Sequence, residues 1–219
     1  MKYVVIDCEF TGLHKDSQIL TISFHKLDEN FKFKSKLNLA VKSSVRDKMD
    51  RGYYSVCPEA MEVNKIDLKH HEETAESRES CIVKIEQFLR HASQVYKGKD
   101  EKGNHIVDYI RCNVIGHGVR GDLQKLKELF PEVDFDKYLS SVRIHDTLSI
   151  AATLQTVGKL PMNMNLKLAT LADYYDIDTT WAHQADGDCT IIHKLFLELT
   201  EEIKGPHALL EKIKFHGRL

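Results

Sequence analysis

The first hydrophobic run, YVVIDC (3–8), is short and rich in β-branched residues, and it predicts a central strand. QILTISFHKL (18–27) predicts a second strand, closed by the turn signal DEN (28–30). FKFKSKLNL (31–39) then alternates. Phe31, Phe33, Leu37 and Leu39 fall on one face and Lys32, Lys34 and Lys36 on the other, as in a half-exposed third strand of an antiparallel meander. The period changes over 76–96, where Ile82, Ile85, Phe88, Leu89 and Ala92 follow helical spacing. CNVIGH (112–117) is a short buried strand, and VRGDLQKLKELF (119–130) a helix stopped by Pro131. VRIHDT (142–147) is a strand ending in an acid and followed by a helix to about Leu154. Helices are predicted over 166–176 and, with a long apolar stripe, over 185–203. Gly205–Pro206 is expected to end the last one, leaving a short C-terminal helix. The pattern between 40 and 75 is weak and suits short helical pieces, and KGKDEKGNH (97–105) reads as a charged surface loop. No internal repeat or low-complexity segment interrupts this order.

Three strands, a helix, a strand, a helix, a strand and then helices imply an α/β fold. Its mixed sheet has an antiparallel first half and parallel βα units after it, with helices on both faces. The 219 residues suit one large domain, expected over 1–204 with a helical tail over 205–219. A net charge of -2 excludes a protein held on nucleic acid by bulk charge, so any such binding is local. The lysine row at 32–36 fits a solubilised exposed edge first and a phosphate-backbone contact second. Five cysteines without a CxxC fit a reduced, intracellular, cytoplasmic protein with no disulfide framework. No secretory signal or membrane span is expected from the apolar runs.

The chemistry begins where the first strand ends. Asp7 and Glu9 are one residue apart, so on a strand they share a face, and like charges that close raise each other's pKa unless a cation intervenes. Asp122 falls in the first turn of the helix after CNVIGH. His183 precedes Asp188 by five residues and must sit on the loop before the last helix to lean over the site Asp188 faces. Each of these has an ordinary reading as a cap, an ion-pair partner or a surface residue. Together, four acids and a histidine at strand ends and helix starts suit hard cations held by carboxylate oxygens, with an imidazole as general base. That is equipment for in-line attack of water on a phosphodiester.

The chain resembles the DEDDh group of the DnaQ-like 3′–5′ exonuclease superfamily. VVIDCEFTGL resembles the first motif, D-x-E-x-T-G, VIGHGVRGDLQKL the second, and HQADGDCTIIHKLF the third, H-x-A-x-x-D. PEAMEVNKID (58–67) and HDTLSIA (145–151) also resemble segments that link these motifs. The resemblance implies a ribonuclease-H-like mixed five-stranded sheet and a two-metal site with Mg²⁺ or Mn²⁺. It implies that Asp7, Glu9, Asp122 and Asp188 hold the metals, with Asp7 bridging them, and that His183 takes the proton from the attacking water. Phe10, Thr11, Gly12 and His117 would bind the terminal nucleotide. Gly118 and Gly121 depart from the family's usual Asn and aromatic residue, which widens the region beside the site. Asp146 is expected to hold a strand–helix corner.

The implied activity is stepwise removal of 5′-mononucleotides from the 3′ ends of single-stranded DNA or RNA. A proofreading or processing subunit, working with a polymerase or another replication or repair partner, is the nearest alternative, and a homodimer fits as well. A strand-end binding module without catalysis is the reading from another class. The presence of all five reactive positions argues against it.

Overall fold

The structure is a computed structural model that describes residues 1–12, 17–42 and 56–216, with side chains described through Lys204. Its centre is a five-stranded sheet in the spatial order β3-β2-β1-β6-β7. The strands are β1 (Tyr3–Phe10), β2 (Ile19–Leu27), β3 (Phe33–Ala40), β6 (Cys112–Gly116) and β7 (Leu139–Asp146). β1 pairs antiparallel with β2, and β2 with β3, while β6 is parallel to both β1 and β7. This is the mixed sheet predicted. β1 is sealed on both faces, with Val4, Val5 and Ile6 fully buried.

Helices cover both faces. On one, α3 (Arg78–Ser93) packs Cys81, Ile85, Leu89 and Ala92 into a cluster with Val4, Ile6 and Phe24. α4 (Arg120–Leu129) and the single turn α5 (Phe135–Tyr138) complete that layer through Leu126, Phe135 and Tyr138. On the other face, α8 (Ala185–His216) packs Cys189, Ile192 and Phe196 against Tyr3, Val5 and Ile115. α6 (Thr147–Thr156) and α7 (Leu168–Tyr174) brace α8 through Leu154, Leu171, Leu195 and Leu199. The weak stretch before α3 contributes α1 (Pro58–Asn64) and α2 (Leu68–Thr74), while the part of it at 43–55 lies outside the described residues. All five cysteines are unpaired, Cys57 half-buried and the others buried. Among the described residues no helix is long and apolar enough to cross a membrane.

Three expectations are corrected. The stretch 97–105 is the core of a hairpin, β4 (Gln94–Lys99) with β5 (His105–Tyr109). The charged tip that reads as a loop is only its turn, where Asp100 accepts the N–H groups of Lys102 and Asn104. Second, the alternation of 31–39 does not lie on one face. A register shift between Lys26 and Leu27 skips a residue of β3, and Phe31 takes a left-handed φ of 60°. Leu37 and Leu39 therefore join the α3 layer, whereas Phe31 packs on Tyr3 and Phe196 under α8. Third, α8 runs through Gly205–Pro206 to His216. Proline cannot donate to the carbonyl four residues back. That carbonyl, on Glu202, instead accepts a hydrogen bond from Lys159 Nζ, so the helix continues with no orphaned acceptor there.

Leu89 has no exposed surface at the α3–sheet contact, whereas Val83 on the same helix is 53% exposed. Leu89→Ala is expected to cost about 2–5 kcal/mol and Val83→Ala under about 1 kcal/mol, read from urea unfolding. Equal costs would mean that α3 does not bury the stated face.

Candidate active site

The candidate residues gather at the carboxyl end of β1. Asp7 and Glu9 continue the odd-numbered face of Tyr3 and Val5, which α8 covers, and so they meet Asp188 from the first turn of α8. Carboxylate oxygens of Asp7, Glu9 and Asp188 all lie within 4.8 Å of one another. Asp122 is not in this group of three. It arrives on α4 from the opposite layer and accepts hydrogen bonds from the Cys8 thiol and the Cys8 and Asp122 backbone N–H groups. The site thus straddles the end of one strand, with a carboxylate trio on one side and a single carboxylate on the other.

Four acids in so little water repel. Burial first, then Asp122, Asp188 and Glu9, hold the Asp7 carboxyl well above its ordinary range. Burial and Asp188 push Glu9 up to about 7, and the protonated Glu9 donates to the Asp188 carboxylate. Asp122 is also raised to about 7, chiefly by burial. Burial raises the Cys8 thiol as well, so no thiolate competes with the oxygens.

The surrounding chain fixes this geometry. His183 lies on the turn before α8 with a left-handed φ of 64°, and its N–H donates to Asp188 Oδ2 at 3.0 Å. His183 lines a cavity of about 290 Å³ with Asp7, Glu9, His117 and Asp188. Gly187 allows the turn to close. A Cβ there would lie 1.8 Å from the Trp181 carbonyl oxygen, so no side chain fits. On the neighbouring helix position, Asp186 accepts from Lys36 Nζ at 2.5 Å and bonds His25 Nε2 at 2.7 Å, tying the start of α8 to β2 and β3. Lys34 pairs with Asp28 at 2.7 Å. Lys34 and Lys36 therefore serve ion pairs at the sheet edge.

A second cleft, of about 720 Å³, opens on the Asp122 side, lined by Asp7, Glu9, Phe10, Gly12, Asn64 and His117 among others. Phe10 follows Val4, Ile6 and Cys8 on the even-numbered face of β1, the Asp122 side, and there lines this cleft. Thr11 is different from its expected placement beside the nucleotide. It is fully buried, its N–H donates to the Gln18 carbonyl, and its hydroxyl accepts from the Gln18 N–H. Thr11 therefore holds the turn from within, while Phe10 and Gly12 form the wall. His117 Nδ1 is 2.9 Å from Thr147 Oγ1, and burial lowers its pKa. Asp146 caps α6 through the Leu148 N–H and accepts the Gly118 N–H at 2.8 Å, the corner-holding place expected of it. Gly118 has φ 70°, a conformation open to glycine and tolerated by asparagine. At Gly121 a Cβ would meet nothing within 4 Å, so the cleft is wide there.

Two parts of the site escape a reading of the sequence. Asn64 donates to the Phe10 carbonyl at 3.1 Å and lines the cleft, and no local pattern marks it out. The second is the His25–Asp186 contact: Ser23 and His25 are buried polar residues of β2 and need partners, but nothing in the local sequence names Asp186, 161 residues away.

Residues 4–196 match the family model RNase_T, described as exonuclease. The protein belongs to this exonuclease family, of DEDDh type. Its fold is the ribonuclease-H-like fold of exonuclease I. E. coli exonuclease I in complex with a dT13 oligonucleotide superposes with a TM-score of 0.68 at 15% identity, covering 100% of this chain and 44% of that one. The zinc-bound form of the E. coli exonuclease I–single-stranded DNA complex gives 0.67 at 14% identity, covering 98% and 43%. The chain spans less than half the length of these neighbours. No curated protein sequence matches it.

The raised carboxyls set a pH dependence. A carboxyl with its folded pKa above its unfolded value favours the fold when protonated, so its stability is present below the unfolded pKa and lost as pH rises through the folded one. For Glu9 the window runs from 4.5 to about 7. In chelator, the melting temperature should fall across that window, and added Mg²⁺ should raise it more at the upper end than at the lower. A metal-free protein whose stability is flat or rising there would contradict these protonation states.

Proposed function

We propose that the protein hydrolyses phosphodiester bonds at the 3′ end of single-stranded nucleic acid, one nucleotide at a time, using two divalent cations and releasing 5′-mononucleotides. The observation that carries this reading is the trio Asp7, Glu9 and Asp188, with oxygens within 4.8 Å, facing Asp122 across the end of β1 beside a cleft of about 720 Å³. Hard carboxylate oxygens at this spacing fit Mg²⁺ or Mn²⁺, and an unneutralised cluster of this kind is electrostatically incomplete. Asp7, Glu9 and Asp188 would hold one ion, and Asp7 with Asp122 the other. When bound, such ions supply Lewis acidity at the phosphate and lower the pKa of water.

The protein's own groups then have defined tasks. His183 stands on the rim of the trio's cavity and would take the proton from the attacking water. Its N–H holds Asp188 in place whatever the state of its ring. The Phe10 ring would lie against the terminal base or sugar, with Gly12 allowing close approach and His117 on the facing wall. Thr11 and Asn64 would act behind them, keeping the Phe10–Gly12 turn in position. The near-neutral charge and a cleft in place of a long basic groove favour single strands over duplex ends.

Asp7→Ala should abolish digestion of a 5′-labelled oligonucleotide, and His183→Ala should slow it by about 10²–10⁴-fold with metal affinity retained and the acid limb of the rate profile gone. The wild type should give a ladder shortening from the 3′ end in Mg²⁺ or Mn²⁺. Near-wild-type turnover by a folded Asp7→Ala protein would overturn the site. A His183→Ala protein that melts earlier yet keeps rate and pH profile would show that this histidine only shapes the turn. Digestion that needs an added partner protein would favour the processing-subunit reading.

A further inference from the structure

The end of the sheet opposite the acids carries a surface that the nuclease site does not use. β1, β6 and β7 run parallel, so their first residues lie together, and along β1 they stand roughly 13–20 Å from Asp7 and Glu9. Two cavities open there, of about 500 and 560 Å³, and they share Met1, Asn113, Val142 and Arg143. Lys2, Ile110, Arg111 and Ser140 complete the lining of the first. No acid lines either one. Among the described residues, no carboxylate forms an ion pair with Lys2, Arg111 or Arg143.

The apolar part is equally distinct. Val142 is 86% exposed, Met1 72% and Ile110 36%. Val142 is out in solvent because β7 bulges: Leu139 pairs with Cys112 and Ile144 with Val114, so Ser140 to Arg143 stand opposite Asn113 alone. The Arg143 N–H donates to Ser140 Oγ at 3.0 Å, which ties the bulge to itself. Bulges at a sheet edge re-aim side chains, and this one presents a valine and an arginine side by side. Tyr96, Ile106 and Tyr109 on the β4–β5 hairpin add further exposed apolar surface.

We propose that this end of the sheet docks a segment of a partner polypeptide that carries carboxylates around an aliphatic anchor. The three unpaired cations call for negative charge, and the aliphatic side chains call for a second apolar group. A second copy of the chain fits poorly, because a two-fold contact would set Lys2, Arg111 and Arg143 against themselves. A nucleic acid backbone would satisfy the cations but would leave the aliphatic side chains of Val142, Met1 and Ile110 without an apolar partner. The proposal is independent of the nuclease reading.

The test is fluorescence anisotropy of the full chain with a fluorescein-labelled peptide of alternating Glu and Leu. Saturable binding is expected, about tenfold or more weaker for Gln–Leu and Glu–Ser counterparts. Arg111→Glu/Arg143→Glu and, separately, Val142→Asp should each lose about tenfold or more in affinity with the melting temperature unchanged. Equal binding of the Glu–Leu and Gln–Leu peptides, or undiminished binding by both variants, would overturn the proposal. So would labelled oligothymidylate that loses affinity to the arginine variant while the peptide does not, which would make this a nucleic-acid surface. Self-association in sedimentation that Val142→Asp abolishes would make it a contact between copies, and would also overturn it.

Discussion

Everything at the carboxyl end of β1 is organised around a repulsion. Asp7, Glu9, Asp122 and Asp188 are all carried to one place by elements whose cores are otherwise unremarkable, and without a counter-charge the fold can tolerate them only by holding protons. Glu9 donating to Asp188 is such a proton, whereas the Cys8 thiol and N–H donate to the Asp122 carboxylate and offset part of the penalty of burying its charge. A stable protein has no need of such a cluster, because paired or isolated acids would serve solubility at less cost. The cluster makes sense as a site that a divalent cation completes.

That repulsion explains the surrounding reinforcement. The turn at His183 is held in a left-handed conformation, closed against Gly187, and bonded to Asp188. Asp186, two residues from Asp188, is clamped by His25 and Lys36, so the first turn of α8 is anchored to two strands at once. On the other side of β1, Thr11 and Asn64 fix the turn that carries Phe10 and Gly12, and Asp146 fixes the loop that leads to α4. Apart from Asn64, which also lines the cleft, these groups stand behind the site. They prevent like charges from moving apart, which is the condition for presenting preorganised oxygens to a metal and a phosphate.

The strands, the long helices and the acids were legible because each leaves a local trace: a β-branched run, a helical stripe, or two carboxylates at the period of a strand. The Asp7–Glu9 pair could be placed on one face from spacing alone, and His183 could be assigned to a turn because it cannot share a helix face with Asp188. What could not be read depends on contacts distant in sequence or on one-residue irregularities. The bulge beside Lys34 breaks the alternation that a strand pattern assumes, so Phe31 faces where the pattern does not put it. Thr11 sits in the motif beside Gly12, yet its hydroxyl turns inward to Gln18. α8 passes Gly205–Pro206 because Lys159 satisfies the carbonyl that proline leaves, a partner over forty residues away that no local helix-stop rule can see. The hairpin at 94–109 was hidden by a turn as charged as a disordered loop.

The central claim is that this cluster holds protons only in place of divalent cations, and calorimetric titration of the protein with Mn²⁺ tests it most directly. Run near pH 6 in buffers of different ionisation enthalpy, the titration should show saturable binding with net proton release, and the release should shrink as the pH passes about 7, where Glu9 and Asp122 have already lost their protons. Absence of saturable binding, or binding that releases no protons at the lower pH, would contradict the account.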